Sequence, residues 1–179
     1  MFPGRASIIV LAALIQGLVP AAPAAGQPLQ STLEYSVKAN YLVRFAAFVE
    51  WPAQSFATNR APVVICVVGR DPFEGALERA ARAQTAHGRA LAVRRPATAE
   101  AAADCHILYV GRGGDSLIPA GEPAVLVVTD AAATANRGMV HFVIADNRVR
   151  FHIDLQAASR SRLSISSRLL NLALSVRGG

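Results

Sequence analysis

Cysteine, lysine and acidic side chains are all scarce in this chain. Its 179 residues include 2 cysteines, Cys66 and Cys105, and Lys38 is the only lysine among 18 basic residues. Neither cysteine belongs to a C-x-x-C pair, which removes the usual thiol oxidoreductase motif and the usual zinc spacing. Cys66, Cys105 and His106 would offer three ligand atoms, but His106 follows Cys105 directly and on a strand points to the opposite face. Acidic residues number 12, so the formal charge is +6, yet the arginines are scattered along the chain, which argues against a nucleic-acid groove. Serine nucleophile elbows (G-x-S-x-G), phosphate loops (G-x-x-x-x-G-K) and H-E-x-x-H are missing too. A Ser-His-Asp set could be assembled only by free choice among scattered residues. No enzymatic activity, metal or cofactor is expected.

What is present is a chain 53% hydrophobic and 17% charged, enough apolar material for one folded domain with a sizeable core. The first 25 residues read as a secretory signal peptide. Arg5 gives a positive start, residues 8–19 an apolar stretch, and Ala22-Pro23-Ala24-Ala25-Gly26 a small-residue cleavage region near residues 24–26. An apolar run of about a dozen residues is short of the roughly 20 that a spanning helix needs. The absence of a cysteine after it disfavours a lipoprotein. Residues 26–179 are then one mature domain. In an oxidising compartment, two cysteines are expected to pair, Cys66 with Cys105.

The mature chain is organised around two runs without polar alternation, residues 62–69 and 105–111. Strands of that kind are buried on both faces, as in parallel sheets. Ahead of them, Leu33, Val37, Tyr41, Phe45 and Phe48/Val49 have the spacing of one helical face, ended at Trp51 by Pro52. Asp71-Pro72 is placed to start a second helix with Phe73, Leu77 and Ala80/Ala81 buried. His87-Gly88 turns the chain into a short strand at 89–95, residues 97–103 make a brief helical crossover, and 124–129 is a further strand. Residues 139–144 and 148–155 alternate strictly and form an antiparallel hairpin turning at Asp146-Asn147. Its register pairs Ile144 with Val149, Phe142 with Phe151 and Val140 with Ile153, and sets His141 opposite His152 on a solvated face. From Gln156 onward the pattern is helical, with Ser164 or Ser166 as a cap. The expected fold is α/β, a single domain with a largely parallel central sheet, an added C-terminal antiparallel hairpin and flanking helices.

Two candidate sites follow from this layout. Tyr41, Phe45, Phe48 and Trp51 form an aromatic helix face, suited either to the core or to a partner. Gly69-Arg70-Asp71 and Gly111-Arg112-Gly113-Gly114 each follow a strand, and in a parallel sheet the carboxyl ends share one edge where ligands collect. Arg70 and Arg112 would there flank an anion, which makes a sensor of small anionic metabolites an alternative reading of function.

The mature chain resembles the YfiR family of small exported bacterial proteins. The resemblance is carried by Lys38-Ala39, Tyr41-Leu42, Phe45, Phe48-Val49 and Trp51-Pro52; by Ile65-Cys66-Val67-Val68-Gly69 with Asp71-Pro72-Phe73; by residues 105–110; and by Gly138, Phe151-His152-Ile153, Ile165-Ser166-Ser167 and Leu169-Leu170. It implies a periplasmic homodimer that binds the periplasmic sensor part of an inner-membrane diguanylate cyclase and restrains cyclic-di-GMP signalling and biofilm formation. It also implies a disulfide between Cys66 and Cys105 and an outer-membrane protein that relieves repression. The aromatic helix, Tyr41 to Trp51, is on this reading expected in the dimer or cyclase interface. A second cysteine pair found in some members is absent here. Asp154 and Arg162 stand where the family more often has asparagine and glycine.

Overall fold

A computed structural model describes residues 27–178, so the expected signal peptide lies outside the described residues. The chain opens with α1 (Gln27–Phe48) and a two-residue strand, β1 (Val49–Glu50). The first apolar run is β2 (Val63–Val68), followed by α2 (Ala76–Arg82) and the strands β3 (Thr85–Ala86) and β4 (Arg89–Arg94). A short helix, α3 (Ala99–Ala102), is capped by the Thr98 side chain, which accepts from the Ala101 amide. It leads into β5 (Ile107–Val110), and β6 (Leu126–Asp130), β7 (Val140–Ala145) and β8 (Arg148–Asp154) complete the run of strands. The chain closes with α4 (Leu155–Arg160), β9 (Ser164–Ile165), α5 (Ser167–Leu170) and β10 (Ser175–Arg177).

The main sheet has the order β10-β8-β7-β6-β5-β2-β4-β3, and β1 pairs with β9 separately. From β4 through β2, β5 and β6 to β7 every pairing is parallel. The hairpin joins antiparallel in the register that its apolar face dictates, Phe142 against Phe151 and Ile144 against Val149. Asp146 and Asn147 both take positive φ, 50° and 56°, the turn whose twist matches a two-residue hairpin. Each central strand is buried on both faces. Val63, Ile65 and Val67 of β2 face the larger core under α1, α2, α4 and α5, while Val64, Cys66 and Val68 face a smaller core shared with Ala102, Cys105 and Leu108. Cys66 and Cys105 form a disulfide in that smaller layer, with Cα atoms 6.0 Å apart.

Four local expectations are corrected. α1 ends at Phe48 rather than Trp51, because Val49-Glu50 pair with Ile165-Ser164 and the Ser166 amide donates to the Phe48 carbonyl at 2.9 Å. Asp71 does not cap α2, which starts at Ala76 after Gly75. Its carboxylate accepts from the Phe73 amide at 2.8 Å instead, an Asx turn that competes with helix. The segment beyond Gln156 is not one helix, since β10 adds to the sheet beside β8 in parallel. Ser166 does cap α5, accepting from the Arg168 amide. Nor is the histidine face of the hairpin open to water at both positions: His141 is buried and bonds Thr129 (Nδ1 to Oγ1, 2.7 Å), while the half-buried His152 bonds Ser175 at 2.6 Å.

The two departures at the C-terminal end are absorbed locally. Asp154 caps α4, accepting from the Ala157 amide at 2.9 Å, and its other oxygen pairs with Arg177. Arg162, just past α4, holds φ at 59°, a left-handed position that glycine adopts with less strain.

Candidate functional site

The inward stripe of α1 is Lys38, Ala39, Leu42, Val43, Phe45, Ala46, and Val49 just beyond its end. A lysine inside such a stripe needs an anion at its ammonium. Asp130 provides it, because the last residue of β6 shares its sheet face with Leu126 and Val128, beneath α1. Lys38 Nζ lies 2.6 Å from Asp130 Oδ2 with both side chains almost fully buried, and Glu34, one turn earlier, also pairs with Nζ. Tyr109 of β5 donates its hydroxyl to Asp130 Oδ2 at 3.0 Å, and the Ala132 amide donates to Oδ1 at 3.0 Å. The ammonium sits 4.6 Å from the centre of the Tyr35 ring. Burial pushes the Tyr109 hydroxyl far above the usual tyrosine range, and the Asp130 charge pushes the same way. Tyr35 is raised for the same two reasons.

Directly above this network is a cleft of about 530 Å³ at the carboxyl ends of β2, β5 and β6, with Arg70 and Arg112 in its lining. The two arginine loops are locked together. The Arg70 amide donates to the Arg112 carbonyl at 3.0 Å, and the Gly111 amide to the Val68 carbonyl at 2.8 Å. A Cβ on Gly111 would stand 2.1 Å from the Arg70 carbonyl oxygen, so only glycine permits that approach. The structure therefore brings together the two ligand-edge arginines. Asp71, in the same cleft, is held by Arg95.

A second concave surface, about 770 Å³, runs between α1 and the hairpin tip and includes Leu33, Val37, Tyr41, Ile144 and Leu172. Leu33, Ile144 and Leu172 are 69%, 50% and 50% exposed, so the first half of the expected apolar stripe faces outward. The helix is rotated so that small alanines approach the sheet and Leu33 and Val37 do not. Of the aromatic anchors, Phe45 is fully buried and packs on Phe142 and Phe151 at 5.8 and 5.3 Å, which takes its ring out of direct partner contact. Tyr41 is half-buried at the groove, and Phe48 and Trp51 are also partly covered. The Trp51 indole donates to the His106 carbonyl at 3.1 Å.

His106 is buried, stacked on Phe56 at 4.4 Å, and its Nδ1 accepts from the Val64 amide at 3.1 Å. Protonating Nδ1 would set two donors against each other. Burial, reinforced by the Arg89 charge, holds this imidazole below the usual histidine range, and burial followed by the Arg137 and His152 charges does the same for His141. Because the unfolded chain binds the proton more readily, both contributions are intact above the unfolded histidine pKa of about 6.5 and are lost as pH falls below it. Unfolding free energy is expected to decline between about pH 7.5 and 5.5, and less steeply in His106→Asn, which keeps an acceptor near the Nδ1 position. Parallel wild-type and variant profiles in urea titrations would refute the assignment to His106. The expected lone turn histidine, His87, bonds the Val49 carbonyl at 3.0 Å.

Residues 35–174 match the family described as YfiR/HmsC-like. The chain belongs to that family. The match takes in both arginine loops, the disulfide, Lys38 and Asp130, so the fold and site described above lie almost wholly inside the family domain. At family level, YfiR/HmsC-like proteins are periplasmic regulators of diguanylate cyclase rather than enzymes. Among the described residues no helix is long and apolar enough to cross a membrane. No curated protein is similar enough to this chain to count as a match.

Sequence reasoning missed the Lys38-Asp130-Tyr109 network. The available signal was the single lysine of an arginine-rich chain, one helical turn ahead of Leu42 and two ahead of Phe45 on the buried side of α1.

Proposed function

We propose that this chain is a periplasmic binding protein that holds the sensor region of an inner-membrane diguanylate cyclase in its inactive state, and so restrains cyclic-di-GMP signalling and biofilm formation. Membership of the YfiR/HmsC-like family over residues 35–174 carries the reading. The apolar groove at Leu33, Val37, Ile144 and Leu172 supports it, since exposed apolar side chains gathered in one concave surface mark a partner site. Repression by this route needs no catalytic group. A binder that prefers the inactive state of its target by about 2–3 kcal/mol shifts the equilibrium roughly 30- to 150-fold. The active unit is a homodimer, and an outer-membrane protein relieves repression by competing for the chain.

The groove, with Tyr41 at its wall, is the surface that meets the cyclase. Co-purification of the mature chain with the periplasmic domain of the membrane cyclase encoded beside it, paired with a cyclase activity assay, tests this. Leu33→Asp with Ile144→Asp is expected to weaken binding at least about tenfold, with little change in stability because both sites are exposed. A folded wild-type chain that neither binds nor inhibits the cyclase would overturn the function. Wild-type affinity in the double variant would overturn the groove.

A further inference from the structure

The cleft at the carboxyl ends of the strands coincides with the point where the sheet changes direction. From β2 the chain moves through α2 to β4 on one side, and from β4 it returns through α3 to β5 on the other side of β2. α2 packs in the larger core and α3 in the smaller one, so the two crossovers lie on opposite faces of the sheet. The loops leaving β2 and β5 are hydrogen-bonded to each other at this switch point, and the crevice opens between them, the chain after β6 and the first half of α1. In open α/β sheets this crevice is where ligands bind.

The charges in the crevice are unbalanced. Arg70 has no anionic partner among the described residues. Among the described residues the Arg112 side chain donates to the Ala132 carbonyl alone, at 3.3 Å. The nearby carboxylates are committed elsewhere, Asp71 to Arg95 and the Phe73 amide, and Asp130 to Lys38, Tyr109 and the Ala132 amide. Glu74 alone carries an uncommitted negative charge among the lining residues, on an exposed position. Tyr35, half-buried and resting edge-on against Phe73 at 5.9 Å, supplies an aromatic wall. The glycine contacts between the loops fix the backbone at both arginines before any ligand arrives, which lowers the ordering cost of binding.

We propose that this cleft binds a small organic anion, with its carboxylate or phosphate group between Arg70 and Arg112 and a flat apolar body against Tyr35. A volume of about 530 Å³ falls in the range of small-molecule sites. The site does not depend on the cyclase reading, because it would be present whether or not the groove engages that partner.

Isothermal titration of the mature wild-type chain with phenyl phosphate, benzoate and phenol tests the proposal and separates the two anion types. One or both anions are expected to bind more tightly than neutral phenol, and more weakly as salt is raised. Arg70→Ala with Arg112→Ala is expected to weaken that binding about tenfold or more, as loss of charge-assisted bonds does. The backbone bonds that lock the loops survive in this variant. Amide shift mapping of the wild-type protein gives a second readout, with the largest changes expected at Gly69–Asp71 and Gly111–Gly114. The proposal is overturned if neither anion binds below a Kd of about 10 mM, if phenol binds equally well, if the double variant binds unchanged, or if the shifts map elsewhere.

Discussion

Lys38→Met should cost about 3–5 kcal/mol of folding stability, the usual penalty for removing one partner of a buried ion pair. The lysine has no exposed surface, and Asp130 is 2% exposed. Methionine fills the volume of the aliphatic stem but leaves the Asp130 carboxylate with two uncharged donors among the described residues, one hydroxyl and one amide. Glu34, about a quarter exposed, can turn to solvent, so the loss falls chiefly on Asp130. The compensating variant Lys38→Met with Asp130→Asn removes both charges and keeps an acceptor for Tyr109. It should recover about 2 kcal/mol or more of the loss, a coupling of the size expected for residues in one network. Urea unfolding of the wild type, both single variants and the double variant measures this cycle. A Lys38→Met protein within about 0.5 kcal/mol of wild type would show that the ion pair does not hold α1 to the sheet. The consequence reaches function through geometry: α1 carries Lys38 on its inner face and Leu33, Val37 and Tyr41 at the groove, while Asp130 and Tyr109 underlie the arginine cleft. Loosening this pair is expected to disturb both surfaces.

Much of this arrangement could be read from residue patterns, and the failures have physical causes. The unalternating runs at Ile65 and Leu108 identified central parallel strands because burial on both faces leaves no polar position. Strict alternation around Phe142 and Phe151 fixed the hairpin register because a slip would have buried Arg150. Gly69 and Gly111, ahead of Arg70 and Arg112, marked the strand ends, and the structure gave their reason, a backbone approach too close for any side chain. By contrast, the period of α1 admitted two neighbouring stripes. Large residues at 33, 37 and 41 suggested one, but the alanines at 39 and 46 let the helix approach the sheet on the other. Short elements held by distant partners were also hidden. β1 exists because β9 pairs with it, and β10 because β8 offers an edge. The ion pair was missed for a related reason: its members are 92 positions apart, and nothing in the local sequence around Asp130 announces a lysine overhead.

Reducing the Cys66–Cys105 bridge should lower stability by about 4 kcal/mol, the chain-entropy value for a separation of 39 residues. That is a large share of the roughly 5–15 kcal/mol by which domains are stable. The bridge closes the segment that runs from the end of β2 through α2, β3, β4 and α3, so reduction frees the excursion between the two strands whose far ends carry Arg70 and Arg112. It also lies in the thinner of the two cores, where α3, at four residues, offers little apolar cover of its own. Two effects should therefore appear together in urea titrations run with and without reductant. The midpoint should fall, and the slope should rise because the reduced unfolded chain expands further. Cys66→Ala with Cys105→Ala should reproduce the shift and prove insensitive to reductant. A loss under about 1 kcal/mol would mean that the larger core and the parallel ladder alone hold β2 against β5. The full loss would make a reduced chain marginal, and under the proposed function cyclase inhibition should then fall on reduction in step with the folded fraction rather than through any direct role of the sulfurs at the partner surface.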